Sequence, residues 1–378
     1  MTELPASLEE VEAAEGVSPT EELMVIKRRI WLGQGEVSDL GVEEEATGRW
    51  VTYSERVAAQ QLRYGADPPR LEAIAEPVEE PTELMEGAAE QVVTASRPDH
   101  LGLNYRPHVT AFGHTVGQNL EDVGIGRLKD RKTQAWYEPE DRRVFRDTSY
   151  PWSTVGRIRG AAKDPYPGSG GTGVLVGPRH VLTAAHVAWY PDGTPNSMRF
   201  HPAYFDESSP FGSARVERIR YYTPKVVGSV NESNEWNDFA VLILDWRVGD
   251  VCGWMGNRAF SRNWSGLAVW SHVGYPGMFK RTSHVPTFER GFTVTLPPKY
   301  DEHRAIVEHF ADATNGNSGG PIFAYWQFEG RLMPYVVGTH SAGPYGDEPY
   351  PMDPSFDNQA AAGQRQVNLV LNSRAAYP

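Results

Sequence analysis

The sequence predicts an all-β fold, and three observations carry that expectation. From Val144 onward, short β-rich stretches are separated by Gly, Pro, Asn and Asp, the punctuation of strands and turns. Twelve such stretches follow one another at close spacing, with no alternation of strand and long helix. Hydrophobic residues make up 40 % of the 378-residue chain, enough for a substantial core, yet no run approaches the roughly 20 apolar residues of a membrane span.

In chain order the predicted strands are Ser153–Ile158, Gly173–Val176, His180–Thr183, Ser197–Phe200, Val216–Tyr222 and Phe239–Leu244. They continue with Leu267–Val273, Gly291–Val294, Ile306–Phe310, Pro321–Phe323, Tyr335–Thr339 and Gln366–Leu369. A break between two β units is expected near Gly249–Gly256, dividing residues 144–250 from 251–378.

The first third reads differently. Residues 1–100 hold 22 Asp and Glu against 8 Lys and Arg, a balance of −14, whereas the remainder of the chain balances at +1. All the net acidity therefore sits in an N-terminal extension, taken as residues 1–134. The near-neutral remainder excludes a nucleic-acid-binding role for the main domain. Residues 1–22 and 75–90 are rich in Glu, Ala and Pro and are expected to be solvated or weakly helical. A short element is expected over Glu21–Leu32, a helix over Arg49–Tyr64, and a connector over 101–134 that includes the basic cluster Arg127–Lys132. The start at Met1 has no basic, apolar leader, so localisation stays open. A single cysteine, Cys252, permits no internal disulfide and reads as a small buried hydrophobe.

Chemistry is concentrated in three stretches. Asn315-Gly316-Asn317-Ser318-Gly319-Gly320-Pro321 suits a tight turn presenting a hydroxyl, with glycine at 316 letting backbone N–H groups approach a ligand. A serine is a poor nucleophile unless a base takes its proton and donors hold the resulting oxyanion. The histidine stands in Thr183-Ala184-Ala185-His186, after a hairpin whose turn is Gly177-Pro178. The carboxylate stands in Asn237-Asp238-Phe239-Ala240, at the mouth of an apolar run, where burial is costly without a partner such as an imidazole N–H. Chain order His186, Asp238, Ser318 is that of one known class of serine hydrolase. Glu302-His303 and Glu308-His309 lack the spacing of a metal site, and His272 reads as core packing. Neither metal nor cofactor is expected.

These three blocks resemble the signatures of trypsin-like serine proteases. Asp147–Trp152, Trp270–Gly277 and Gly338–Gly343 are similar to the bacterial and fungal branch that contains the glutamyl endopeptidases. The resemblance covers residues 135–378 and implies a chymotrypsin-like fold of two six-stranded antiparallel barrels with the active site between them. It further implies Ser318 as nucleophile, His186 as general base and acid, Asp238 as the group that orients the imidazole, and the N–H groups of Gly316 and Ser318 as the oxyanion hole. Ser341 and Gly343 would pair with the substrate backbone.

Two residues pull specificity in opposite directions. Asp312 stands where trypsins bind Arg or Lys, with Ala313 beside it, and His340 stands where glutamyl endopeptidases receive a glutamate. The expected activity is a monomeric serine endopeptidase acting on protein or peptide substrates with cleavage after Glu. It would be made as a precursor cut within residues 120–143, with His340 partly charged near neutral pH. Asn317 replaces the aspartate that in trypsins pairs with a freed N-terminal amine. The alternatives are cleavage after Arg or Lys, and a catalytically inactive binding protein that keeps the fold.

Overall fold

The computed structural model describes residues 3–18, 23–33, 42–45, 48–58, 73–79, 92–109, 142–163, 170–223, 234–277, 285–343 and 357–378. Strands dominate. The first barrel comprises β6 (Val155–Gly160), β7 (Gly170–Gly177), β8 (His180–Thr183), β9 (Met198–Pro202), β10 (Ala214–Tyr221) and β11 (Ala240–Leu244). Its order is β11-β8-β7-β6-β9-β10, and β10 pairs back onto β11, so six antiparallel strands close. Closure removes free edges, and the side chains Leu175, Val181, Ile219 and Leu242, which register places on one face of the sheet, have no solvent exposure.

The second sheet is built from β12 (Gly256–Asn257), β13 (Trp270–Gly274), β14 (Thr287–Phe292), β15 (Val294–Thr295), β16 (Ala305–His309), β17 (Pro321–Phe328), β18 (Arg331–Ala342) and β19 (Asn358–Ala362). Its path is β15-β16-β19-β18-β17-β13-β14-β5, where β5 is Arg143–Val144, and β12 pairs with β18 off that path. Among the described residues it curls into a half-barrel and does not close, so in place of two six-stranded barrels the described strands form one closed barrel and one open, nine-stranded partner. Between the two sheets lies the short helix α2 (Gly249–Cys252), preceded in the chain by α1 (Leu8–Ala13).

Two expectations are corrected. Gln366–Leu369 is not a strand but part of helix α3 (Gln364–Ala376), because Gln366, Val367, Leu369, Val370 and Ser373 bury one helical face. Ser373 O receives the ring nitrogen Nε2 of His180 at 3.1 Å, tying that face to β8. Arg49–Tyr64 is no helix where described: β3 (Gly48–Ala58) pairs with β1 (Leu23–Gly33) and β2 (Val42–Glu45) in a three-stranded antiparallel sheet. The β-branched and aromatic run Trp50-Val51-Thr52-Tyr53 outweighs the helical spacing of its charges.

A third finding concerns the extension: residues 3–18 are mostly exposed and carry the short helix α1, as expected, but among the described residues single side chains of the extension are packed into the main domain. Val11, Val93, Leu101, Leu103 and Tyr105 are all buried. β4 (Ile74–Pro77) adds to the first barrel as a parallel neighbour of β10. Tyr105 Oη donates to Leu332 O at 3.0 Å, and Trp152 Nε1 donates to Asn104 O at 2.7 Å. At the far end Trp264 Nε1 donates to Glu3 O at 3.1 Å, over a buried cluster of Phe260, Trp264, Trp270 and Trp326. Sequence reading misses this because an acidic average conceals single apolar anchors.

Candidate active site

Strand register brings the three chemical blocks together. The β8–β11 ladder pairs Thr183 with Ala240, and continuing it past its end sets Asp238 beside Ala185 and His186. His186 Nδ1 lies 2.7 Å from Asp238 Oδ2, and the backbone N–H of His186 donates to Asp238 Oδ1 at 2.9 Å. Ser341 Oγ, at the end of β18, also donates to Asp238 Oδ2. A fully buried carboxylate thus has three donors, the condition under which its charge is tolerated.

Burial works to raise the Asp238 carboxyl, but the His186 charge and the hydrogen bonds from His186 and Ser341 outweigh it and hold it below the usual range. For His186 burial works downward, and the Asp238 charge and hydrogen bond win, leaving the ring above its ordinary value. The imidazole is 13 % exposed, so one edge stays reachable from the cleft.

Ser318 sits in the loop between β16 and β17. Thr172 N–H, at the start of β7, donates to Ser318 O at 2.9 Å. Gly319 has φ +83° and lies so close to the first barrel that a Cβ there would come within 2.1 Å of Thr183 Oγ1 and 2.8 Å of the Ala184 nitrogen. The serine loop therefore docks directly against the strand end that delivers His186. No hydrogen bond joins Ser318 Oγ to His186 among the described residues; such bonds are commonly long in a free enzyme. Neither Gly316 N–H nor Ser318 N–H donates within the described residues.

On the second sheet, Gly319 N–H donates to His340 O and His340 N–H to Gly320 O, both at 2.8 Å, so His340 runs alongside the serine loop. Asp312 and Ala313 are buried in the run leading to that loop, and Asp312 N–H donates to Glu289 Oε2 at 2.7 Å. Gly343 follows the end of β18, partly exposed.

Two functional candidates escaped the sequence reading. His272 (β13), His309 (β16) and His340 (β18) meet in one buried cluster, with ring centroids 5.4, 5.7 and 6.0 Å apart. His309 Nε2 lies 3.3 Å from His340 Nδ1. Burial lowers all three, His272 to about 4 and the other two well below the ordinary value, and their mutual charges add to the effect on His309 and His340. Burial thus works against a charge on His340, opposite to the expectation that it is partly charged near neutral pH. The only signal in the sequence is that each histidine interrupts an apolar strand, where a polar side chain needs a partner.

Comparison with known proteins adds to this geometry. Residues 171–330 match the model of the Trypsin-like peptidase domain. Among solved structures, a Glu endopeptidase in complex with MPD is 22 % identical, with a TM-score of 0.49, covering 63 % of this chain and 99 % of that one. The protease Anisep from Arthrobacter nicotinovorans is 22 % identical with a TM-score of 0.44, covering 60 % and 97 %. A thermostable serine protease, AL20, from an extremophilic microorganism is 18 % identical with a TM-score of 0.43, covering 60 % and 99 %. No curated protein matches the chain. Residues 171–330 are accordingly similar to the Trypsin-like peptidase domain.

Proposed function

We propose that the protein is a serine endopeptidase in which Ser318 attacks the peptide carbonyl. His186 takes the hydroxyl proton and later gives it to the leaving amine, while Asp238 holds the imidazole with its proton on Nδ1. The carbonyl oxygen, now an anion, would be received by the N–H groups of Gly316 and Ser318. The observation that carries this reading is His186 clamped by both oxygens of Asp238 immediately beside the docked serine loop. Hydrolysis of a peptide amide substrate tests it. Its kcat/KM should fall as pH drops through the pKa of His186, an acid limb above the ordinary histidine value. A limb that disappears in His340→Ala and not with His186 would assign the base wrongly.

For specificity we propose cleavage after Glu, with Asp weaker. When His309 Nε2 donates to His340 Nδ1, the proton of His340 sits on Nε2, free to donate to a substrate carboxylate. Arg142 Nη1, which donates to Thr314 Oγ1 at 3.2 Å, adds a cation beside the run that leads to Ser318. In a peptide library, His340→Ala should lower kcat/KM for Glu substrates by about 10-fold or more, the scale of one charged hydrogen bond. Retained cleavage after Arg or Lys that vanishes in Asp312→Ala would instead select the basic reading.

The acidic extension is proposed as part of a precursor cut between residues 120 and 143, a stretch that apart from Arg142 and Arg143 lies outside the described residues. Packing changes what such a cut would do. Five buried side chains, each contributing about 1.5–3 kcal/mol, and β4 in the barrel sheet hold the extension down. Both fragments should therefore co-elute on native gel filtration and separate only in denaturant. An active fragment beginning near residue 144 and purified alone would contradict this.

A further inference from the structure

The loop bearing Ser318 is held by two side chains that the reaction itself does not use. Thr172, wholly buried in β7, donates its hydroxyl to Gly316 O at 2.8 Å and accepts Tyr275 N–H at 3.0 Å. It therefore ties the loop to both sheets at once. From β13, His272 Nε2 lies 3.0 Å from Asn317 Nδ2, and His272 Nδ1 lies 3.2 Å from Pro321 O. A carbonyl oxygen only accepts, so Nδ1 carries the ring proton and Nε2 accepts from the Asn317 amide. Asn317 Oδ1 in turn accepts Thr314 N–H at 3.4 Å.

There is no slack around this contact. A Cβ at Gly274 would stand 2.3 Å from Asn317 Nδ2, and one at Gly320 would stand 2.6 Å from His272 Cε1.

Beside these side-chain ties, backbone bonds of the same loop set directions through peptide planarity. Gly316 N–H points opposite to Asn315 O, which is held by Gly277 N–H, and Ser318 N–H points opposite to Asn317 O, which is held by Gly320 N–H at 2.8 Å. Both N–H groups that would receive the oxyanion are thus aimed by pinned carbonyls. Asn317 is uncharged, with its amide engaged by His272 and by Thr314 N–H, so it offers a freed ammonium group no opposite charge.

We propose that Thr172 and His272 are positioning residues that preset this loop, so that the uncut chain is already competent and needs no amine released by cleavage. The proposal rests on the serine endopeptidase reading above. Thr172→Val keeps the shape and removes the hydroxyl. It should lower kcat by about 10²-fold, the scale of one lost oxyanion donor, with KM changed by less than about threefold, and Thr172→Ser should restore most of the rate. His272→Phe should act in the same direction, and the double variant should lose less than the product of the two single losses, since both act on one loop.

Titration of active sites with a serine-directed phosphonate normalises each variant to its folded fraction, which separates positioning from simple loss of fold. The same phosphonate should label the full-length chain as fast as any shortened form. Turnover in Thr172→Val equal to the wild type, or label confined to a shortened chain, would overturn the proposal while leaving the endopeptidase reading standing. A wild type that neither hydrolyses peptides nor takes label overturns both.

Discussion

Ser318→Ala and His186→Ala should each lower peptide hydrolysis by about 10⁶-fold, to near background, because nucleophile and base act as one unit. Neither change should unfold the protein. The structural bonds of Ser318 run through its carbonyl, which accepts Thr172 N–H, and alanine keeps that carbonyl. In His186→Ala, Asp238 keeps the backbone N–H of residue 186 and the Ser341 hydroxyl, losing one of three donors. That loss should cost about 1–3 kcal/mol of stability, read as a modest fall in melting temperature. Turnover within 10-fold of the wild type in either variant would remove that residue from the mechanism.

Asp238→Asn should cost about 10⁴-fold in kcat, and the geometry explains why. The backbone N–H of His186 can only donate, so the asparagine oxygen must take the place of Oδ1. Its NH₂ then faces His186 Nδ1 and donates to it, where the carboxylate accepted. The ring proton is forced onto Nε2, the nitrogen that has to be empty to receive the Ser318 proton. Nitrogen NMR of the ring should show the switched tautomer together with the lost rate. An unchanged tautomer with a lost rate would place the role of Asp238 elsewhere.

Much of this site was legible from residues alone because its parts depend on local pattern. His180–Thr183 reads as a strand from its own composition, and β8 has those bounds. A glycine-flanked serine and an aspartate opening an apolar run carry their chemistry in a few neighbours. What stayed hidden depends on contacts distant in sequence. His272, His309 and His340 meet only because β13, β16 and β18 lie in one sheet. Helix α3 looked like a strand over four residues because Val367 and Leu369 alternate, while the turn that buries Val370 and Ser373 lies beyond that window. β19, Asn-Gln-Ala-Ala-Ala, has poor strand propensity and is formed by pairing with β16 and β18.

The extension makes the same point. Leu101, Leu103 and Tyr105 are ordinary residues in a glycine-bearing stretch, and only the partners at Tyr150 and Leu332 reveal them as anchors. Local reading locates the chemistry, and sheet pairing decides what stands around it.

Labelling by a serine-directed phosphonate, followed by mapping of the modified peptide, tests the central claim most directly. The account predicts stoichiometric modification of Ser318 in the wild type, slowed as pH falls through the pKa of His186 and abolished in Ser318→Ala. A folded wild type that takes no label, or label that persists at another residue in Ser318→Ala, would contradict it.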